Sequence, residues 1–267
     1  MGIFNRRAGR AACIVAAVAV SGACVFAAEE MAKRYKVHDM SRPKPEVVTP
    51  GQFATADKPS VPPSDAIVLL GNGEEDLKKN WDGGAWTFEG GAYIPAGKSI
   101  TTKEQFGDCQ LHVEWAEPTP AKGDSQGRGN SGVIFLGRYE LQVLDSYKND
   151  TYPDGQCGAI YSEYPPLVNV CRPPGEFQTY DVVFRAPQFD SDHKVTSPGT
   201  FTVFQNGVLV QDHVELIGST SPHVAKFEYF EPKGHLELQF HGNKVRYRQV
   251  WIRPLGPQTP KVNPAEG

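Results

Sequence analysis

The sequence has few cysteines, no cluster of basic residues and little helical periodicity, and each absence excludes a class of protein. Its 267 residues include 27 Lys and Arg against 31 Asp and Glu, which gives a formal net charge of −4. A nucleic-acid-binding protein would need a basic patch, and none is present. A mean hydropathy of −0.41 excludes a polytopic membrane protein. The length allows one large domain, or two small ones, with a core of its own.

Several enzyme motifs are absent as well. The five cysteines form no CxxC pair and no Cys/His cluster, so we expect no structural zinc site. No GxGxxG lies at a predicted strand–helix junction and no phosphate loop occurs, which argues against nucleotide chemistry. There is no GxSxG elbow of a serine hydrolase. No single strand carries the close carboxylate pair of a retaining β-sandwich glycosidase.

Residues 1–28 are predicted to be a secretory signal, because three arginines precede a short apolar run and small residues come after it. Cleavage after Ala27 is favoured. The alternative is a lipoprotein anchored at Cys24, which fits less well because Ser21 stands where an aliphatic residue is preferred. An uncleaved anchor is a third option, although so short a run spans a bilayer poorly. We therefore expect a secreted or periplasmic protein with no stable membrane insertion after cleavage.

Three cysteines remain after the predicted signal. Because three is odd, at most one intrachain bridge can form, and Cys157–Cys171 is the plausible pair. Cys109 alternates with apolar residues in a strand pattern and is expected to be a buried thiol.

The chain beyond the signal is predicted to be one all-β domain with loose ends. Residues 29–64 are rich in proline and indicate an extended arm or linker, and residues 256–267 a loose tail. Between them, residues 65–255 show short alternating segments typical of an antiparallel β-sandwich or jelly roll. The only short helix predicted is at Glu74–Lys79. The clearest predicted strands are Trp86–Phe88, Ala92–Ile94, Cys109–Ala116, Gly132–Leu136, Arg138–Leu144, Thr179–Arg185, Thr200–Gln205, Val208–Gln211, His235–His241 and Val245–Arg253.

Three of these strands have a polar face built from planar side chains. Such groups fix sugar hydroxyls or polar acids by directional hydrogen bonds, whereas the ordinary alternative is simply the wet side of a sheet. The residues are His112 and Glu114; Arg138, Glu140 and Gln142; and Glu237, Gln239 and His241.

The loop over residues 127–132 leads into the strand predicted at Gly132–Leu136 and is rich in glycine. Its glycines allow close approach of a ligand to the backbone, and Asn130 and Ser131 are candidate hydrogen-bonding groups. The alternative is an ordinary turn.

Several short motifs occur in a characteristic order along residues 65–255. They are NSGVIF at 130–135, YELQVLDS at 139–146, GAIY at 158–161, NGV at 206–208, LQFHG at 238–242 and the last strand at 245–255. Together they resemble an exported bacterial family, the 3-keto-disaccharide hydrolases (DUF1080), and the resemblance covers nearly all of residues 65–255. Phe240 and Gln249 depart from the family pattern, and residues 118–128 and 219–233 resemble insertions.

The resemblance implies a concanavalin-like jelly-roll β-sandwich of two antiparallel sheets that cleaves glycosides of 3-keto sugars. A carbonyl at C3 acidifies the C2 proton, so that a base can remove it and the glycosidic oxygen can leave C1. Later hydration completes a net hydrolysis. This route needs a base, a group that stabilises the enolate and an acid for the leaving group.

We assign the proton-transfer roles to residues on the polar face. His241 is the first choice for the base, since histidine is the side chain that ordinarily exchanges a proton near working pH; the alternative is a structural histidine. Glu140 is the second candidate base or a hydroxyl clamp, unless it pairs with Arg138. Arg138 is expected to stabilise the enolate.

The remaining candidates are substrate-binding residues: Gln142, Gln239, Glu114, Asn130 and Ser131. Arg248 is expected to pair with a sheet carboxylate rather than to touch the ligand.

No cofactor is predicted, although a divalent cation such as Ca²⁺ on the carboxylates is an option. The expected partner is an oligosaccharide or glycoside, with no nucleic acid. Two other functions remain open, a non-catalytic carbohydrate-binding module and a structural or adhesive exoprotein.

Overall fold

The structure is a computed structural model that describes Met40, residues 44–220 and residues 226–256. The predicted signal and nearly all of the predicted tail lie outside the described residues. The chain divides into two units, Met1–Val47 with Gln258–Gly267 and Val48–Pro257. Of the first unit only Met40 and residues 44–47 are described. The second contains every described helix and strand.

The described residues form fifteen short strands and one α-helix, α1 (Glu74–Asn80), as the sequence pattern predicts. Two 3₁₀ helices cover Ser125–Gly127 and Pro153–Gly155. The strands are β1 (Ile67–Leu70), β2 (Trp81–Gly83), β3 (Thr87–Glu89), β4 (Ala92–Ile94), β5 (Ile100–Thr102), β6 (Cys109–Ala116), β7 (Ser131–Phe135), β8 (Tyr139–Val143), β9 (Phe177–Arg185), β10 (Gln188–Phe189), β11 (Val195–Ser197), β12 (Thr200–Gln205), β13 (Val208–Glu215), β14 (Glu237–Leu238) and β15 (Arg246–Pro254).

Two antiparallel sheets make up the predicted jelly-roll sandwich, which is confirmed. One is eight-stranded, in the order β13-β12-β9-β6-β15-β4-β3, with β1 also paired to β15. The other is five-stranded, in the order β2-β5-β14-β7-β8. A small hairpin joins β10 to β11. Among the described residues, no helix has both the length and the apolar character that a bilayer span requires.

Alternation along the strands decides which side chains form the core. In β6, Leu111, Val113 and Trp115 are fully buried between the sheets. Because successive side chains point to opposite faces, His112 and Glu114 project from the outward face of the same strand. Each fully buried large apolar side chain contributes roughly 1.5–3 kcal/mol to folding. The core therefore fixes the register, and the register fixes which polar groups share an outward face.

All three described cysteines are free. Cys109 is buried, as predicted, and burial raises the pKa of its thiol. The sulfurs of Cys157 and Cys171 lie 3.5 and 3.3 Å from the same side-chain nitrogen of Gln205. A bridge between them stays a prediction, and the fold brings the two thiols to one place.

The strand predicted over His235–His241 is shorter than expected. Only Glu237 and Leu238 keep regular pairing on both sides. Beyond them, the Phe240 backbone N–H donates to the Ser99 side chain at 3.1 Å. His241 therefore lies after the strand instead of within it.

Candidate active site

Two glutamates share the outward face of the five-stranded sheet. Glu140 in β8 and Glu237 in β14 both lie opposite Ile134 of β7 in the strand register. The two acids thus lie in one cross-strand row with a single strand between them. Adjacent strands are about 4.8 Å apart, so their backbones are separated by about 10 Å.

A second row lies next to the first on the same face. Gln142 is opposite Gly132, whose carbonyl accepts a hydrogen bond from the Gln239 backbone N–H at 2.9 Å. A Cβ added to Gly132 would lie 2.3 Å from a carboxyl oxygen of Glu140. The glycine at this position therefore makes room for the Glu140 carboxyl group.

Glu140 is buried without a charged partner. Its side chain is 6% exposed, and within the described part of the chain its carboxyl group accepts no hydrogen bond and forms no ion pair. Burial, and secondly the charge of Glu237, raise the pKa of Glu140 to about 7. The group can therefore accept or release a proton near neutral pH, as a general acid or base must.

A chain of amides connects the loop before β7 to this face. Gln142 donates to the side-chain oxygen of Gln126 at 3.0 Å, and Asn130 donates to the Gln126 carbonyl at 2.8 Å. The Asn130 backbone N–H in turn donates to the Asn243 side chain at 2.7 Å. In the described residues, the side-chain oxygens of Gln142 and Gln239 are buried and have no hydrogen-bond partner. These amides are suited to hold hydroxyl groups.

Two tyrosines lie beside Glu140. The hydroxyls of Tyr152 and Tyr161 are 2.6 Å apart. The Tyr161 backbone N–H donates to the Glu140 carbonyl at 3.0 Å. Burial raises the pKa of Tyr152, with smaller contributions from Tyr161 and from the charge of Glu140. Tyr152 therefore remains a neutral hydrogen-bonding group near the Glu140 carboxyl.

His241 and Arg138 are less closely associated with Glu140. His241 is exposed, and no hydrogen bond or ion pair joins it to Glu140 among the described residues. The Arg138 guanidinium lies over the ring of Phe230, 4.8 Å from its centre. Arg138 and Glu140 are both described, and they form no ion pair with each other. Roles for His241 and Arg138 in proton transfer and enolate binding stay predictions.

Ser131 faces the core instead of the outward face. Its hydroxyl donates to the Gln239 carbonyl at 2.6 Å and is 2.7 Å from the Tyr247 hydroxyl. Since side chains alternate along β7, Gly132 faces outward and Ser131 inward. The Ser131 hydroxyl therefore links the two sheets, and its contact with a ligand stays a prediction.

Glu114 belongs to a different cluster on the outward face of the eight-stranded sheet. It accepts hydrogen bonds from Arg248 at 2.5 Å and from the Ser60 backbone N–H at 2.6 Å, and lies 3.2 Å from His112. Burial alone would raise the pKa of Glu114, but these partners outweigh it and lower the pKa. The prediction that Arg248 pairs with a sheet carboxylate is confirmed. The structure does not bring Glu114 together with Glu140: Glu114 forms an internal ion pair with Arg248, and its contact with a substrate stays a prediction.

The sequence pattern did not single out Glu237, Gln126 or Asn243 as site residues. Glu237 was part of the polar face, and the strand register alone places it in the row of Glu140. Gln126 lies in the 3₁₀ helix Ser125–Gly127 and Asn243 lies in a loop, and in neither does a periodic pattern predict the orientation of the side chain. Among the described residues, no group of three or more His, Cys, Asp or Glu side chains is arranged to hold a metal ion.

The protein is thus a jelly-roll sandwich whose five-stranded sheet carries two glutamates, Glu140 and Glu237, and several side-chain amides on its outward face. Residues 65–253 match the model of the 3-keto-alpha-glucoside-1,2-lyase-like domain, and the chain belongs to that family.

Two solved structures are similar to this chain. A protein from Parabacteroides distasonis ATCC 8503, described as a “putative glycosyl hydrolase”, is 37% identical with a TM-score of 0.73, and the match covers 82% of this chain and 97% of that chain. A second protein of that organism with the same description is 19% identical with a TM-score of 0.52, covering 71% of this chain and 99% of its own, and supports the fold alone. No curated protein is similar enough to count as a match.

Proposed function

We propose that this protein cleaves the glycosidic bond of 3-keto-glycosides at the outward face of the five-stranded sheet, with Glu140 as the proton-transfer group. Membership of the lyase-like family and the similarity to a described glycosyl hydrolase support carbohydrate cleavage. The observation that carries the proposal is the buried carboxyl of Glu140, whose pKa of about 7 suits proton transfer at neutral pH.

The reaction can be written with its atoms in balance. The Glu140 carboxylate takes the proton from C2 of the sugar, which is acidic because C3 is a carbonyl. The electron pair forms the C1–C2 double bond as the C1–O bond breaks. The departing oxygen takes a proton and leaves as an alcohol. Water then adds across the double bond, with its hydroxyl at C1 and a proton at C2, to give the free 3-keto sugar.

Other residues of the face have supporting roles in this proposal. Gln142 and Gln239 accept hydrogen bonds from sugar hydroxyls through their unpartnered oxygens. Glu237 keeps the pKa of Glu140 raised. His241, which is exposed and follows Glu237 and Gln239 along the chain, is the candidate for protonating the leaving oxygen. We also propose that the protein acts after export, on the strength of the pattern in residues 1–28 alone.

A substrate comparison tests the reaction class. The purified protein is incubated with a 3-keto-glucoside and with its unoxidised parent, and aglycone release is monitored. We expect release from the keto form only, and slower release when C2 carries deuterium. Cleavage of the parent alone, or keto-glycoside cleavage that is insensitive to deuterium at C2, would contradict the elimination.

The same assay separates an enzyme from a carbohydrate-binding module. In a binding module, sugar affinity is present while neither the wild type nor Glu140→Gln releases the aglycone. In the proposed enzyme, Glu140→Gln binds the keto-glycoside but releases it uncleaved.

A further inference from the structure

The outward face of the eight-stranded sheet carries a cavity of about 450 Å³ between the strands and the segment 48–63. Its floor includes His112, Asp181 and Trp251, which are cross-strand neighbours on β6, β9 and β15. The His112 imidazole stacks on the Trp251 indole with ring centres 5.1 Å apart. Valines and prolines of the segment form the facing wall. The volume is within the range of small-molecule sites.

The charges of this cavity are already compensated. His112 lies 2.7 Å from Asp181 on one ring nitrogen and 3.2 Å from Glu114 on the other. Burial lowers the pKa of His112, but its two carboxylate partners outweigh burial and raise the pKa to about 8. Arg253 is held by Asp65 at 2.5 Å. An occupant of the cavity therefore meets no free cation among the described lining residues, which favours an uncharged molecule.

Hydrogen-bonding capacity is nevertheless left over. The indole N–H groups of the three other tryptophans donate to Leu69, Lys98 and Glu117. Within the described residues, the Trp251 indole N–H and the Ser60 hydroxyl are buried and have no partner, and both residues line the cavity.

An exposed aromatic ring extends this surface beyond the cavity. Phe204 of β12 lies opposite Asp181 in the strand register and is 39% exposed. The Asp181 side chain is itself 36% exposed, and its contact with His112 uses one carboxylate oxygen, Oδ1. Apolar ring surface beside donors and acceptors is the combination that a sugar ring requires, since it presents C–H faces and hydroxyl edges.

We propose that this cavity binds a neutral sugar residue, at a site separate from Glu140 and on the other sheet. The binding needs no cleavage and does not depend on the function proposed above. Trp251 and Phe204 supply the apolar surface, and Asp181 accepts hydrogen bonds from ligand hydroxyls.

The indole N–H resonances test the proposal, because three of the four tryptophans serve as internal controls. Methyl α-glucoside is titrated into ¹⁵N-labelled protein, with the Trp251 resonance assigned by its loss in Trp251→Phe. We expect the Trp251 resonance to shift in a saturable manner while those of Trp81, Trp86 and Trp115 stay in place. No shift of Trp251, or an equal shift of all four resonances, would overturn the proposal.

Two variants locate the site and one serves as a matched control. Asp181→Asn is expected to weaken binding about tenfold or more, because it removes a charged hydrogen-bond acceptor. Phe204→Ala, an exposed substitution, is expected to weaken it by a smaller factor. Asp212→Asn makes the same charge change on β13 outside the cavity and should leave affinity unchanged. Undiminished affinity in both Asp181→Asn and Phe204→Ala would contradict the site, as would a Trp251 shift caused by phenol but not by the sugar.

Discussion

Two buried glutamates on the outward faces of the two sheets show how the same side chain serves opposite purposes. Glu114 is surrounded by Arg248, His112 and the Ser60 backbone N–H, and its pKa is lowered. Glu140 has no such donors among the described residues, and its pKa is raised to about 7 by burial and by Glu237. Both are acids in strands with alternating polarity, so the sequence pattern alone does not separate them.

The two glutamates differ in whether hydrogen bonds and an ion pair compensate the desolvation of the carboxylate. Burying a carboxylate is unfavourable unless it is paired and hydrogen-bonded. At Glu114 the fold provides that pairing, and the result is a fixed ion pair beneath the segment 48–63. At Glu140 nothing in the described residues compensates the desolvation of the carboxylate. The protonated form is therefore favoured, and the group titrates near neutral pH. Buried acids without partners are therefore the better candidates for catalysis in this molecule.

The largest expected effect is the loss of cleavage in Glu140→Gln. General acid–base groups typically contribute 10²–10⁴-fold, so we expect kcat to fall by about that factor. Glu114→Gln is the matched control, and in the protein that remains folded its kcat should stay near wild type. Equal losses in the two variants would remove the distinction between the faces.

The second effect concerns stability on the Glu114 face. Arg248→Met leaves the Glu114 carboxylate buried without its nearest hydrogen-bond donor, and we expect a loss of about 3–5 kcal/mol in the free energy of unfolding. Denaturant unfolding measures it. The double variant Glu114→Gln with Arg248→Met should recover a large part of this loss, whereas a purely additive result would argue against a coupled pair.

The pH dependence of stability should have opposite signs on the two faces. The folded-state pKa of Glu140 is about 7, above its ordinary value of 4.5, so the folded protein binds more protons between these values. The free energy of unfolding then falls as pH rises through this window, by roughly 3 kcal/mol at most. Glu140→Gln should remove that fall and be more stable than wild type at pH 8.

Glu114 gives the contrasting case. Its pKa is lowered below 4.5, so its contribution is present above pH 4.5 and is lost as pH falls through its folded-state pKa. The free energies of unfolding of Glu114→Gln and wild type should therefore become similar in acid, and at neutral pH the wild type should be the more stable of the two. Convergence at neutral pH would show that the Glu114 contacts contribute nothing.

The smallest expected effect is that of Glu237→Gln. Removing this neighbouring charge lowers the pKa of Glu140 only in part, because burial is the larger cause. The basic form of Glu140 then persists to lower pH, and the rising limb of the kcat profile should move toward acid. A limb that moves toward base, or does not move, would show that Glu237 does not act on the titrating group.

The alternating segments were sufficient to predict the long strands and the sandwich. β6 and β12 have the predicted bounds, because alternation of apolar with polar residues over six to eight positions is a clear strand signal. The short strands β1, β2 and β5 were not predicted, since three or four residues give too little periodicity. The sequence pattern also grouped Glu114 with Glu140, because it reveals faces of single strands but not which sheet each strand joins. The inward orientation of Ser131 was not predicted, because the sequence pattern placed this residue in a loop and a loop gives no alternation.

The most direct test of catalysis by an unpaired buried acid is the titration of the Glu140 side chain itself. The carboxyl carbon of Glu140, assigned in ¹³C NMR by its absence from Glu140→Gln, is monitored as a function of pH. We predict a midpoint near 7 in the wild type. A midpoint at or below the ordinary 4.5 would contradict the assignment of Glu140 as the proton-transfer group.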